Sequence, residues 1–208
     1  MNKNLIIFGA SGHGRFIAEI ALLNGYKKIV FADDAWPSKK DIGGFKIESN
    51  ILDATKNRSK NHSYFIAIGD NHIRKELFNA LTKQDLHVAK IIHPSAIVSD
   101  SSEIKAGSVV MPGAVINSNV MIGKGCIINS NATIEHDCVI GDFSHISPNA
   151  SLAGSVIIGQ KTWVGINSCI INDIKIGNSV IIGAGSVVIR NIDDNQKVAG
   201  NPVTVLKG

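Results

Sequence analysis

The sequence is short of the features that define several large functional classes. Its basic residues are dispersed, with no dense Lys/Arg run and no interleaved aromatics, so the net charge of +4 suits a small anionic ligand better than a nucleic acid. No apolar stretch approaches the ~18 residues of a membrane span, and the apolar run near the start is too short for a signal sequence. A cytoplasmic protein is the expectation. Three cysteines, Cys126, Cys138 and Cys169, form no CxxC pair and have no His at zinc-ligand spacing, which points away from a metal site or a disulfide framework. They read as small apolar core residues. What remains is an ordinary globular composition, 44% apolar and 18% charged, in a chain of 208 residues.

The strongest positive signal is a period. From Ile92, Val98 and Ile104 to Ile176, Ile182 and Val188, every sixth residue is aliphatic without a slip. A small or β-branched residue follows four positions later, as at Ala114, Cys126, Ala132, Cys138 and Ala150, and glycine often follows directly, as at Gly123, Gly141, Gly159 and Gly177. A helix cannot carry this stripe, because six is not a multiple of 3.6. Short strands separated by tight turns can, each hexad forming one side of a triangular prism with its aliphatic residue inward. Three hexads make a coil of about eighteen residues, so residues eighteen apart are stacked neighbours. The cysteines at the fourth position, Cys126 and Cys138, then point inward and are poor nucleophiles.

Residues 1–90 lack the period. Leu5–Phe8 reads as a buried strand, Gly9–Gly14 as a glycine turn, and Arg15–Asn24 as a helix stopped by Gly25. A second strand ends in Asp33-Asp34. A third runs from Tyr64 to Asp70, after which Asn71 caps a helix from His72 to about Thr82, and a last strand spans Val88–Ile92. Alternating strands and helices predict an α/β Rossmann-like domain, with ligands at the carboxyl ends of the strands. Glycines let backbone amides approach a phosphate, and an acidic pair some twenty residues on can hold ribose hydroxyls. A nicotinamide dehydrogenase is considered, but too little chain remains for a six-stranded dinucleotide site; a nucleotide-sugar fits the half-size crevice better.

Five segments, GASGHG (Gly9–Gly14), FADD (Phe31–Asp34), FIAIGDNHIRK (Phe65–Lys75), IEHDCVIGDFSHIS (Ile134–Ser147) and GNP (Gly200–Pro202), resemble in order the bacterial hexapeptide-repeat sugar acetyltransferases. These N-acetylate UDP-4-amino-4,6-dideoxy sugars of bacillosamine-type glycans and are grouped with sialic acid O-acetyltransferases. The resemblance implies a Rossmann-like nucleotide-sugar-binding domain at 1–90 and a left-handed parallel β-helix at 91–208. It further implies acetyl-CoA as co-substrate, no metal, and a homotrimer with active sites between subunits. His136 matches the general base and Asp137 its orienting carboxylate, provided the pair sits at a corner, since adjacent strand residues face opposite ways. His145, Gly154, Ile166 and Ala184 match the acetyl-CoA groove, with the Gly154 amide, one coil above His136, as oxyanion donor. Ser11, Gly12 and His13 go to the diphosphate and sugar, Asp33 and Asp34 to the uridine, and Gly69 to close backbone approach. O-acetylation of sialic acid, N-acetylation of a GDP-linked amino sugar, and a non-catalytic sugar-nucleotide scaffold stay open as alternatives.

Overall fold

The computed structural model describes residues 3–56 and 61–206. The chain divides into two compact units, Met1–Ile91 and Ile92–Gly208.

The first unit is built on β1 (Lys3–Phe8), whose apolar core, Leu5, Ile7 and Phe8, is fully buried. It lies between β2 (Tyr26–Ala32) and a later strand, both parallel to it. Two further strands, β3 (Asp41–Ile42) and β4 (Phe45–Ser49), form a hairpin through Gly43-Gly44, both at positive φ (+57° and +86°), and β5 is His62–Ile66. The sheet order is β3-β4-β2-β1-β5. Helix α1 (Gly12–Leu23) buries Ile17, Ala18, Ile20 and Ala21, the stripe a helical period produces. It begins three residues before the predicted Arg15, because Ser11 caps it: the hydroxyl accepts from Gly14 N at 3.4 Å. A short α2 (Ile51–Lys56), with Asn50 Oδ1 accepting from Asp53 N, occupies a stretch the sequence left unassigned. The cap of α3 (Asn71–Thr82) is Asp70 rather than Asn71, its Oδ1 accepting from His72 N and Ile73 N at 2.9 Å each. The predicted strand from Val88 to Ile92 is likewise corrected. Val88 forms only a bridge to Tyr64, and Ile91–Ile92 is the first two-residue strand of the coil that follows.

That coil stacks two-residue parallel strands on partners eighteen residues away, as in Val115↔Thr133↔Ser151↔Cys169↔Val187. Three sheets result. The second residue of each two-residue strand packs on the core, partly buried at Ile92 and Val98 in the first coil and buried from Ile104 onward, Ile116, Ile134, Leu152 and Ile170 among them, and Ala114, Val120, Cys126 and Cys138 fill the corners. Removing one such side chain (Ile134→Ala) would cost about 2–5 kcal/mol through lost transfer energy and the cavity left behind. Corners need a left-handed residue, and Asn119, Asn131, Asp137, Asn149, Asn167 and Asp173 supply it at φ between +55° and +63°. Their short polar side chains tolerate that conformation best after glycine. The glycine directly after the aliphatic residue has another reason: a Cβ at Gly159 would lie 2.5 Å from backbone atoms of Gly177 in the next coil.

The prism therefore has three faces, named here by the outward residue of each strand. Face I carries Val115, Thr133, Ser151, Cys169 and Val187; face II carries Met121, Val139, Ile157 and Lys175; face III carries Val109, Ile127, His145, Trp163 and Ile181. Cys126 and Cys138 are buried, and burial pushes the Cys138 thiol up. Cys169 departs from the core reading: it precedes the inward Ile170 and so is exposed on face I. After Val188 the coil shortens, Ile192 pairing with Ile176 sixteen residues back, and the hexad period ends with it. A hairpin, Lys197–Gly200 and Val203–Val205, extends the sheet of face III, with Val198 and Val203 in the core. No described helix is long and apolar enough to cross a membrane.

Candidate active site

The corner between faces I and II holds Glu135, His136 and Asp137. Asp137 has φ +63°, which turns its carboxylate back so that Oδ2 lies 2.8 Å from His136 Nδ1. The two side chains of this contact remain about half exposed. The hydrogen bond to His136, and then one from Asn119, hold the Asp137 carboxyl below its ordinary range. Asn119 Nδ2 donates to Asp137 Oδ1 at 3.2 Å, and Asn117 Nδ2 to Glu135 Oε2 at 2.7 Å, each from the coil before. In the coil after, Gly154 lies against the imidazole: a Cβ there would stand 2.6 Å from Cε1 and 2.8 Å from Nε2. The Gly154 amide donates to no described residue in the hydrogen-bond network, whereas Ser155 N donates to His136 O at 2.9 Å. A His ring with one nitrogen on a carboxylate presents the other as a proton acceptor, beside an unused amide donor.

Face III carries a second cluster. The rings of His145 and Trp163, stacked neighbours, are parallel to within 2° with centroids 5.8 Å apart. Trp163 Nε1 donates to Ser147 Oγ at 2.8 Å, and His145 Nε2 lies 3.1 Å from Asn129 Nδ2. With Ile166, Ile181, Gly183 and Ala184 they line a predominantly apolar groove of about 440 Å³. Gly183 and Gly165 keep its floor flat, since a Cβ on Gly165 would lie 2.5 Å from Ile182 O. Three of the residues matched to the acetyl-CoA groove, His145, Ile166 and Ala184, thus share one site. Gly154 belongs instead with His136. In the triangular section the His136 corner is opposite face III, with the aliphatic core between, so one chain does not bring the two clusters together.

In the first unit the predicted residues gather at the carboxyl ends of β1, β2 and β5. Gly14 is fixed by packing, a Cβ colliding with Gly9 O, whereas Gly12 and Gly69 face open space. Asp33 is engaged by backbone: Oδ2 accepts from Ala10 N at 2.6 Å and Oδ1 from Ala35 N at 2.9 Å. Lys39 Nζ donates to Ala10 O at 2.6 Å, so Ala10 in the glycine turn is held through both its N–H and its carbonyl. Asp34 Oδ1 accepts from Ile51 N at the start of α2. Burial and then the charge of Arg74 lower His13 to about 4, so this ring is neutral at physiological pH. Arg74, buried on α3, donates to the carbonyls of Ile68 and Gly69 and to Asn71 Oδ1, holding the turn after β5. Sequence reasoning passed over Asn119, Trp163 and Arg74. The first two stand eighteen residues from Asp137 and His145, so the repeat could have found them; Arg74 falls on the buried helical stripe with Phe78. Among the described residues no group of three or more His, Cys, Asp or Glu could hold a metal.

Comparison with known proteins accounts for both units. Residues 4–81 match the family described as the PglD N-terminal domain, and residues 101–136 and 119–154 match the bacterial transferase hexapeptide repeats. The acetyltransferase domain of PglB from Neisseria gonorrhoeae is 36% identical with a TM-score of 0.95, over 99% of this chain and 100% of that one, and its structure is also known with acetyl coenzyme A. GDP-perosamine N-acetyltransferase from Caulobacter crescentus, solved as a histidine-to-alanine mutant with CoA and GDP-perosamine, is 30% identical with a TM-score of 0.94, over 100% of this chain and 99% of that one. WeeI from Acinetobacter baumannii is 26% identical with a TM-score of 0.90, over 98% and 100%. The coil of the second unit is accordingly a left-handed β-helix. With this likeness running the length of both chains, the protein belongs to the bacterial hexapeptide-repeat sugar N-acetyltransferases.

Proposed function

We propose that the protein transfers acetyl from acetyl-CoA to the 4-amino group of a UDP-linked 4-amino-4,6-dideoxy sugar, by direct attack with His136 as general base. The observation that carries this is the His136–Asp137 pair seated on Gly154. The amine attacks the thioester carbonyl, forming the C–N bond as its proton passes to His136 Nε2. Asp137 stabilises the imidazolium, and the Gly154 amide donates to the developing oxyanion. The C–S bond then breaks, and the imidazolium proton goes to the departing thiolate. His145, Ile166 and Ala184 line the groove for acetyl-CoA, which the Neisseria relative also binds. Ser11, Gly12, His13 and Gly69 receive the diphosphate and sugar and Asp34 the nucleoside. Asp33, occupied by backbone amides, shapes the loop. The nucleotide-sugar domain is thus residues 1–90 and the acetyltransferase domain 91–208.

Because the His136 corner and the face III groove stand apart on one prism, the reading requires that the corner of one subunit meet the groove of another, as in the homotrimer that the family resemblance implies. The exposed Met121, Val139 and Ile157 of face II provide apolar surface for such packing. Dependence on acetyl-CoA implies a cytoplasmic enzyme that prepares sugars for glycan assembly. A GDP-linked amino sugar is the second reading, favoured by the perosamine relative.

The test is thiol release from acetyl-CoA against UDP-linked and GDP-linked 4-amino sugars and free sialic acid. Turnover is expected with the UDP-linked amine, falling about 10²–10⁴-fold in His136→Ala. Turnover confined to sialic acid, or an unimpaired His136→Ala, overturns it.

A further inference from the structure

The two carboxylates flanking His136 are each tied from the coil below. Asn117 reaches Glu135 and Asn119 reaches Asp137, both across eighteen residues. The arrangement follows from the repeat, because Asn119 (φ +62°) and Asp137 (φ +63°) occupy the same corner of successive coils and project their short side chains the same way. Asn119 is itself fixed, its backbone N–H donating to Ser101 Oγ at 3.0 Å. A carboxamide has two N–H donors and no charge, so it can hold one carboxylate oxygen without neutralising the group. The other oxygen is left to His136 Nδ1 at 2.8 Å. Without that tether, a carboxylate half open to solvent turns about its χ angles and exchanges the imidazole for water. Asn117 holds Glu135 in the same way, and the carboxylate in contact with the ring is that of Asp137.

We propose that Asn119 is a positioning residue for the acetyl transfer: through Asp137 it fixes the His136 tautomer protonated at Nδ1, leaving Nε2 to take the proton from the substrate amine. This rests on the assignment of His136 as base. The order Asn119, Asp137, His136, Gly154 then runs up one edge of the prism, the first and last steps set by the eighteen-residue coil and the middle one by the left-handed φ of Asp137. Such a device needs no loop, and it makes the base part of a rigid ladder.

The test uses Asn119→Gly, since glycine accepts the left-handed corner that alanine would strain. Loss of a charge-assisted hydrogen bond acting through one intermediary is expected to lower kcat about threefold to tenfold, with both KM values unchanged. In an Asp137→Gly background the same substitution should cost nothing further, the signature of action through Asp137. Nitrogen-15 NMR of the His136 ring in the full chain gives a readout independent of turnover: the Nδ1-protonated tautomer predominates in the parent and loses population in Asn119→Gly. Equal losses of kcat in both backgrounds, or an unchanged tautomer, overturn the proposal. A shifted tautomer with unaltered kcat would instead sink His136 as the base.

Discussion

Replacing Gly154 by alanine should separate catalysis from folding. The added Cβ would stand 2.6 Å from His136 Cε1 and 2.8 Å from Nε2, where ordinary contact begins near 3.4 Å, so the ring must retreat by about 0.8 Å. It can do so, because the His136 side chain is about half exposed, and Gly154 is not among the left-handed glycines, so alanine fits its backbone. Stability should then change by no more than about 1 kcal/mol, the gain from stiffening the unfolded chain offsetting the contact, and Tm by about 2–4 °C. Catalysis is less forgiving: a base misplaced by on the order of 1 Å costs up to about a hundredfold. We expect kcat to fall about tenfold to a hundredfold with both KM values little changed, measured by thiol release alongside thermal unfolding. Gly159→Ala is the control, since its Cβ would meet Gly177 backbone at 2.5 Å, which cannot swing aside. Overpacking of that kind costs about 1–3 kcal/mol, so this variant should lose Tm while its folded fraction keeps the parental kcat. Wild-type kcat in Gly154→Ala, or a loss matched by its loss of folded protein, would refute the reasoning.

Two other predictions concern groups away from that corner. His13 is lowered to about 4 from its ordinary 6.5, so between those values the unfolded chain binds more protons than the folded one and stability falls as pH drops through the window. The slope of Tm against pH from 6.5 to 4 should lessen in His13→Gln, and a ring titrating near 6.5 by NMR contradicts the assignment. Trp163 stacks on His145 at the mouth of the face III groove, so acetyl-CoA should alter its fluorescence, separable from the other tryptophan in a Trp36→Phe background. Trp163→Ala should raise the KM for acetyl-CoA and leave that for the nucleotide sugar unchanged; the reverse pattern places the donor elsewhere.

The hexad period made unit 2 legible because each residue there meets neighbours at a constant separation. Ile134 must point inward, Cys138 must fill a corner, and Gly154 must stack on His136, all by counting. In the first unit the sequence identified β1, α1 and α3 from apolar runs and periods, but missed β3, β4 and α2. These are short, and Asp34, Asn50 and the Gly43-Gly44 turn act through contacts that no local pattern displays. Asp33 illustrates the same limit, since an acid at a strand end reads as a ligand for ribose, and only the fold shows both its oxygens on backbone amides.

By itself, then, the sequence determined the prism and its register, because a solenoid converts separation along the chain directly into position; His136 as candidate base came from the family resemblance, and the period added only which residues stack on it. Tertiary structure decided the rest. A left-handed φ at Asp137 lets neighbouring side chains meet, which an extended strand forbids. The course of the coil sets the His136 corner opposite the groove of His145 and Trp163, because three faces must close around one core.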